Sequence, residues 1–313
     1  MPIVLGHEGA GVVRAVGSDV HGLTPGDTVV IGFSHCGDCA RCQAGLPSYC
    51  RDFAPLNYAG ARPDGSAALS RDGERVASHF FGQSSFASHA LAQERNVVRV
   101  DAEGLDLAIL GTLACGLQTG AGSVLRSLDC QEGSTIAVFG GGPVGLAAIM
   151  AAGLRRCARI VLVEPQADRR RLALELGATE TIDPNAGDVA AAIRALVPDG
   201  VDHALETSGR DTAMAAGLAV LASHGTLGLV GVPATADTVL PVNVAAMITY
   251  GHRIVGIVEG DSDLHGFIPE LIALHREGMF PFDRLVKTFP LAEINAAVAA
   301  QHRGDCIKAV LIP

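Results

Sequence analysis

Four cysteines fall within fifteen residues of the chain, at a spacing that suits a metal ion. They lie in a stretch rich in glycine, proline and aspartate, and they are Cys36, Cys39, Cys42 and Cys50. Four thiolates this close can surround one Zn²⁺ tetrahedrally and leave no position open for a substrate. The spacing therefore predicts a structural zinc that stabilises an irregular loop, rather than a group of free or disulfide-bonded cysteines.

A glycine-rich turn, Gly140-x-Gly142-x-x-Gly145, is a second candidate site. It follows an apolar strand and opens an apolar helix, which is the context that a dinucleotide-binding turn requires. Its glycines permit the turn and let a pyrophosphate approach the helix N-terminus. Glu164 ends the next predicted strand, 19 residues after Gly145. A carboxylate there can accept hydrogen bonds from ribose hydroxyls and would repel a 2′-phosphate, so NAD is favoured over NADP. The alternative is a glycine-rich core turn without a ligand.

Gly6-His7-Glu8 and the distant Cys115 are weaker signals. Histidine and cysteine are common zinc ligands. A single histidine, however, is more often a hydrogen-bonded core residue, and a lone cysteine usually behaves as a small buried hydrophobe. The residues by themselves leave both interpretations open.

Composition and charge narrow the class of protein. The 313 residues are enough for about two domains. The 23 basic and 33 acidic side chains give a net charge of −10, which argues against nucleic acid as a partner. Residues 135–154 carry no charge and have the length of a membrane-spanning helix, but Gly-Gly-Gly-Pro at 140–143 interrupts them, so no span is predicted. No secretory signal is recognised before the cysteines, so we expect a cytoplasmic protein with reduced thiols.

The elements that must position these residues can be read from the hydrophobic pattern. After Ser134, β and helical segments alternate, which favours a doubly wound parallel sheet. Strands are predicted at 135–139, 160–163, 201–205, 226–230 and 254–258, with helices near 166–176, 188–197 and 211–222. Further β segments are predicted at 9–17, 28–34, 86–92, 97–100 and 307–312, and further helices near 263–276 and 291–302.

Taken together, the motifs resemble those of the zinc-containing medium-chain alcohol dehydrogenases over essentially the whole chain. The similar segments are 6–11, 25–27, the four-cysteine lobe, 115–120, 140–145 and Glu164, while 80–86, 259–262 and 280–285 resemble the aryl-alcohol (benzyl-alcohol) branch. The resemblance implies an α/β fold, with a Rossmann doubly wound parallel sheet and a GroES-like β domain. The GroES-like catalytic domain would comprise 1–115 and 259–313, with its zinc lobe at 35–50. The NAD-binding domain would comprise 116–258.

The same resemblance implies a second, catalytic zinc. His7 and Cys115 match two of its ligands, and Glu8 matches the neighbouring glutamate, which can exchange with water as a ligand. The implied reaction is the reversible NAD-linked oxidation of a small primary alcohol, preferably an aromatic one, to the aldehyde. Members of this family are usually homodimers or homotetramers.

Four more residues match family positions around the cofactor and the substrate. Thr119 and Val144 match positions that pack near the nicotinamide ring, and Lys308 matches a basic position near the pyrophosphate. Phe80 matches a side chain that lines the substrate pocket. An aromatic wall there would suit an aryl alcohol.

One departure from the family concerns the catalytic zinc. The family's first catalytic cysteine lies well before the Gly-His-Glu motif, whereas only six residues precede His7 here. Because a catalytic zinc normally has three protein ligands, the leading hypothesis is an N-terminally truncated, poorly active copy of a longer enzyme. In the competing hypothesis Glu8 replaces the missing cysteine in a genuine short form.

Two other functions stay open at this stage. The near alternative is the glutathione-dependent formaldehyde dehydrogenase branch of the same family. The distant alternative is a non-catalytic protein that keeps NAD and the structural zinc, and the missing ligand cysteine is the feature that favours it.

Overall fold

The computed structural model describes residues 2–313. The strands are β1 (Gly9–Val12), β2 (Thr28–Ile31), β3 (Leu69–Arg71), β4 (Glu74–Val76), β5 (Val97–Arg99), β6 (Thr135–Phe139), β7 (Arg159–Val163), β8 (Glu180–Ile182), β9 (Val201–Glu206), β10 (Leu221–Leu229), β11 (Arg253–Gly256), β12 (Val286–Pro290) and β13 (Lys308–Ile312). The helices are α1 (Ala40–Gln43), α2 (Phe53–Tyr58), α3 (Leu107–Leu110), α4 (Gly116–Gly122), α5 (Pro143–Leu154), α6 (Ala167–Glu175), α7 (Val189–Leu196), α8 (Asp211–Ala219), α9 (Val244–Tyr250), α10 (Leu264–Arg276) and α11 (Ile294–Arg303).

Six of the strands form one sheet in the order β11-β10-β9-β6-β7-β8. Every neighbouring pair runs parallel, and a helix lies in each connection between consecutive strands. The winding direction reverses at β6, so β6 and β9 flank the switch point at which such sheets bind ligands. The predicted doubly wound parallel sheet is therefore confirmed.

The uncharged run at 135–154 is the centre of this unit. Its first part is β6, whose residues from Ile136 to Phe139 are at most 1% exposed, and its last part is α5, which is buried along most of its length. Among residues 2–313 no single helix is long and apolar enough to cross a membrane. One bent pair of segments, Leu107–Ala114 with Gly116–Ser127, passes on length and composition alone.

The other unit holds the remaining strands. β1, β2 and β5 form an antiparallel sheet, β3 and β4 form a hairpin, and β12 pairs with β13 in parallel. Apolar side chains of α10 and of the 282–285 segment fill the interior; the fully buried ones include Phe267, Ile268, Leu271 and Phe282. This is the GroES-like domain that the sequence indicated.

Some of the strands differ from the sequence expectations. No strand forms at 86–92, where Phe86 and Leu91 are 43% and 59% exposed, so the apolar residues there have no sheet face to cover. The pattern also missed β3, β4, β8 and β12. The first three are only three residues long, and none of the four is fully buried, so they lack the continuous apolar run by which interior strands are recognised.

The chain divides into two compact units. One comprises 1–118, 262–278 and 282–313, and the other comprises 119–261 and 279–281. Both main boundaries lie three residues beyond the expected 115/116 and 258/259. The first falls inside α4, and the second follows the turn Glu259–Asp261.

Core substitutions in β7 should destabilise the Rossmann unit. Leu162→Ala removes a fully buried side chain from a strand that lies between β6 and β8, and we expect a loss of about 3 kcal/mol in the free energy of unfolding. Chemical denaturation measures this loss. Leu174→Ala, at a position 49% exposed on α6, is the matched control and should cost less than about 0.5 kcal/mol. Equal losses at both positions would contradict this description of the core.

Candidate functional site

The four cysteines of the predicted zinc lobe converge in the structure. Their Sγ atoms all lie within 4.8 Å of one another. Cys42 Sγ lies 3.9 Å from Cys36 Sγ and 3.6 Å from Cys39 Sγ. A tetrahedron of sulfurs about 2.3 Å from a central Zn²⁺ has edges of about 3.8 Å. The separations match a zinc site and are far too long for disulfide bonds.

Backbone N–H groups surround these sulfurs. Cys50 Sγ accepts hydrogen bonds from the N–H groups of Cys36 (3.2 Å) and Asp52 (3.3 Å), and Cys36 Sγ accepts one from Cys39 (3.4 Å). Hydrogen bonds from the backbone of Arg51 and Cys42 lower the pKa of Cys39 to about 6. In contrast, the hydrogen bond with Asp38 raises the pKa of Cys36, and burial raises that of Cys42. Zinc binds the thiolate form, and backbone N–H groups directed at the sulfurs can orient such ligands. The residues therefore fit a closed, structural zinc.

His7, Glu8 and Cys115 form a second cluster, in which one ligand atom from each lies within 4.8 Å of the others. His7 and Glu8 immediately precede β1, and Cys115 precedes α4. Gly111 permits this convergence, because a Cβ there would lie only 2.5 Å from the carbonyl oxygen of Glu8. Three donors with a further position open are typical of a catalytic zinc.

The charges of this cluster suit a cation. Burial acts to raise the pKa of Glu8, but Lys308, His7 and the Gly116 N–H act against it and leave that pKa below its ordinary value. Lys308 Nζ forms an ion pair with Glu8 Oε2, while Glu8 Oε1 accepts the Gly116 N–H at 3.0 Å. Burial also lowers the pKa of His7, which favours the neutral imidazole that binds metals. The donor set therefore fits a zinc ion, and Lys308, expected near the pyrophosphate, contacts Glu8.

Aromatic rings line one side of the cluster. The His7 ring lies 4.7 Å from the Phe81 ring and 5.9 Å from the Phe80 ring, between centroids. Tyr58 packs on both phenylalanines, at 5.3 Å and 6.3 Å. Sequence reasoning found Phe80 but missed Phe81 and Tyr58. The adjacent Phe81 was a signal within the Phe-Phe-Gly motif, whereas Tyr58 had none.

The glycine turn after β6 has the geometry expected of a dinucleotide site. Gly140 has a φ of +104°, which favours glycine, and Gly142 is the N-cap of α5. A Cβ on Gly145 would overlap the Gly140 carbonyl oxygen, and a Cβ on Gly120 would overlap that of Val144. Only glycines allow these approaches, which leave the helix N-terminus open to a phosphate.

Glu164 lies against this turn. Its buried carboxylate accepts hydrogen bonds from the N–H groups of Gly141 (2.6 Å) and Gln166 (2.9 Å). Arg170 donates to the Glu164 carbonyl at 2.7 Å and pairs with Asp183 at 3.2 Å. The charge of Arg170 is thus balanced by Asp183 and not by the Glu164 carboxylate.

Thr119, expected beside the nicotinamide, lies in α4 and is buried. Its hydroxyl donates to the Glu259 carboxylate over 3.4 Å. Glu259, Gly260 and Asp261 all have positive φ values, and a Cβ on Gly122 would overlap the Gly260 carbonyl. Sequence reasoning did not assign Glu259 to the site, although it lies in one of the segments that resemble the aryl-alcohol branch.

Comparison with known proteins identifies the family. A family model described as "Zinc-binding dehydrogenase" matches residues 143–274. A second family model, described as "Alcohol dehydrogenase GroES-like domain", matches residues 1–102. The chain belongs to the zinc-binding alcohol dehydrogenases. This dehydrogenase is 46% identical to geraniol dehydrogenase of Castellaniella defragrans, over 100% of its own length and 84% of that relative's.

Comparison with solved structures supports the same family assignment. An alcohol dehydrogenase zinc-binding domain protein from Burkholderia ambifaria is 48% identical, with a TM-score of 0.97 over 100% of this dehydrogenase and 85% of that chain. Benzyl alcohol dehydrogenase from Acinetobacter calcoaceticus is 38% identical, with a TM-score of 0.95. The match covers 99% of this dehydrogenase and 84% of that chain. A zinc-binding dehydrogenase from Sinorhizobium meliloti was solved bound to NADP. It is 27% identical, with a TM-score of 0.81 over 100% of this dehydrogenase and 84% of that chain.

Family membership makes this dehydrogenase an oxidoreductase of the alcohol dehydrogenase type. Its cofactors are zinc and a nicotinamide dinucleotide, and small-molecule alcohols are its substrates.

Removing one thiolate should empty the four-cysteine lobe selectively. We expect Cys42→Ser to lower the zinc content by one ion per chain and to lower the unfolding temperature, because a structural zinc contributes its binding energy to folding. Atomic emission on dialysed protein measures the metal. Cys306→Ser, at a buried cysteine outside both clusters, should leave the zinc content unchanged. An unchanged zinc content in Cys42→Ser would contradict the assignment.

Proposed function

We propose that this dehydrogenase oxidises primary alcohols reversibly to aldehydes with NAD. We further propose that it prefers alcohols whose hydroxymethyl group is attached to an aromatic ring or to a C=C bond. The observation that carries the proposal is the convergence of His7, Glu8 and Cys115 beside the rings of Phe80 and Phe81. The benzyl alcohol and geraniol dehydrogenases among its relatives act on alcohols of these two kinds.

The metal site would use all three donors. A Zn²⁺ held by His7, Glu8 and Cys115 would supply a Lewis acid that lowers the pKa of the alcohol. Lys308 forms an ion pair with the Glu8 carboxylate and so competes with the metal for it. We therefore expect this lysine to lower the affinity of the site for zinc.

The aromatic side chains determine which alcohols fit. Phe80 and Phe81 form a wall next to His7, and Tyr58 extends it. Flat, unsaturated groups pack against such rings face to face or edge to face.

The choice of NAD depends on Glu164. Its carboxylate stands at the rim of the glycine turn, where the adenosine ribose of a bound dinucleotide would lie. A 2′-phosphate there would meet a buried negative charge. Arg170 does not offset that charge, because it is already paired with Asp183.

Substrate preference and the metal site can be tested together. We expect kcat/KM for benzyl alcohol to exceed that for cyclohexylmethanol, and Phe80→Ala to lower the benzyl value about tenfold through loss of ring packing. Steady-state NADH formation measures both. Phe86→Ala, at an exposed phenylalanine, is the control.

The metal site is tested at His7. His7→Ala should abolish turnover without abolishing NAD binding. NAD binding with no turnover in the zinc-loaded parent chain would instead favour the non-catalytic alternative.

Neutralising Glu164 should relax cofactor choice. We expect Glu164→Gln to reduce the ratio of kcat/KM for NAD over NADP by about tenfold or more, because the repulsion of the 2′-phosphate is lost. Asp168→Asn, a largely exposed carboxylate on the following helix, should leave the ratio unchanged. A parent chain that prefers NADP would show that Glu164 does not select the cofactor.

A further inference from the structure

Gln83 is a buried glutamine, 3% exposed, whose side chain bonds only to backbone among the described residues. Its Oε1 accepts the N–H of Gly9 at 3.0 Å. Its Nε2 donates to the carbonyl oxygens of His7 (2.9 Å), Ile31 (3.0 Å) and Gly32 (3.1 Å). The amide thus holds the His7–Gly9 segment on both sides of Glu8 and ties it to the end of β2.

The backbone around Gln83 is arranged to aim this amide inward. His79, Phe81 and Ser84 have φ values of +65°, +51° and +55°, a conformation that is costly for residues other than glycine. The Ser84 hydroxyl accepts the Phe80 N–H at 3.0 Å and donates to the Val4 carbonyl at 2.7 Å. A strained turn, fixed to the segment that precedes His7, therefore presents Gln83 to the ligand segment.

We propose that Gln83 is the positioning residue of the three-donor metal site. This inference rests on the proposed function, because it takes His7 and Glu8 as zinc ligands. Glu8 lies between the two backbone groups that Gln83 holds, and His7 carries one of them. Without the amide, one N–H and three carbonyls in the protein interior lose a partner, and the segment must shift to find others. Residues that orient metal ligands commonly change metal affinity ten- to a hundredfold when they are replaced.

The four-cysteine lobe lies in the same unit and provides an internal reference. Asn57 provides a matched variant, because it too is a buried amide bonded to backbone: it accepts the Ser34 N–H at 2.8 Å and donates to the Ser34 and Phe53 carbonyls. It makes none of the bonds that hold His7 or Gly9. A general loss of packing should affect both amides, whereas positioning should distinguish them.

The test measures zinc affinity at the two sites separately. Zinc-loaded protein is titrated with a chromophoric chelator, and the parent chain should release one ion easily and one only with difficulty. We expect Gln83→Met to weaken the easily released ion ten- to a hundredfold and to leave the other unchanged. Asn57→Leu should change the affinity of the easily released ion by less than threefold. Gln83→Glu, which keeps the length and the acceptor for Gly9 but turns an oxygen toward three carbonyls, is the second variant if Gln83→Met does not fold.

Hydrogen exchange gives a readout that is independent of the metal. The Gly9 amide should exchange faster in Gln83→Met, which lacks the acceptor, than in the parent chain and in Asn57→Leu. Unchanged zinc affinity in a folded Gln83 variant would overturn the inference and leave the proposed function standing. A parent chain that binds only the zinc of the four-cysteine lobe would overturn the proposed metal site and this inference with it.

Discussion

The approach of two backbones at Gly111 is the constraint on which the three-donor site depends. Glu8 and Cys115 are separated by more than a hundred residues, and their side chains meet only because the turn before Cys115 passes directly over the Glu8 carbonyl. Any side chain at position 111 would force these two segments apart. The site is therefore decided by a close backbone contact before any ligand chemistry is involved.

Charge balance is the second constraint on that site. A carboxylate as buried as that of Glu8 needs a cation or several donors, and the structure supplies Lys308 and the Gly116 N–H. Lys308 comes from the last strand, Glu8 from the start of the chain and Gly116 from its middle. Three remote parts of one unit thus meet at one acidic side chain, and a metal ion there would share that carboxylate with a lysine.

The two metal sites differ in kind. The four thiolates form a closed set within one short loop, with backbone N–H groups directed at the sulfurs, which suits a zinc that stabilises structure. The His7 cluster has three different donors and an aromatic wall, which suits a zinc that meets a substrate. In the other unit, Glu164 lies against the glycine turn, in an arrangement that suits a dinucleotide.

The sequence by itself determined the four-cysteine lobe, the glycine turn with Glu164, and the alternation that builds the parallel sheet. Each depends on residues within a short window, where spacing and periodicity carry the information. Only the tertiary structure revealed the ion pair of Lys308 with Glu8 and the ring of Tyr58 beside Phe81. The same holds for the hydrogen bond from Gln83 to the His7 carbonyl. The tertiary structure also excluded a strand at 86–92 and added β3, β4, β8 and β12. These features depend on which distant segments pack together, and a local pattern carries no record of the partner that buries a side chain or satisfies its hydrogen bonds.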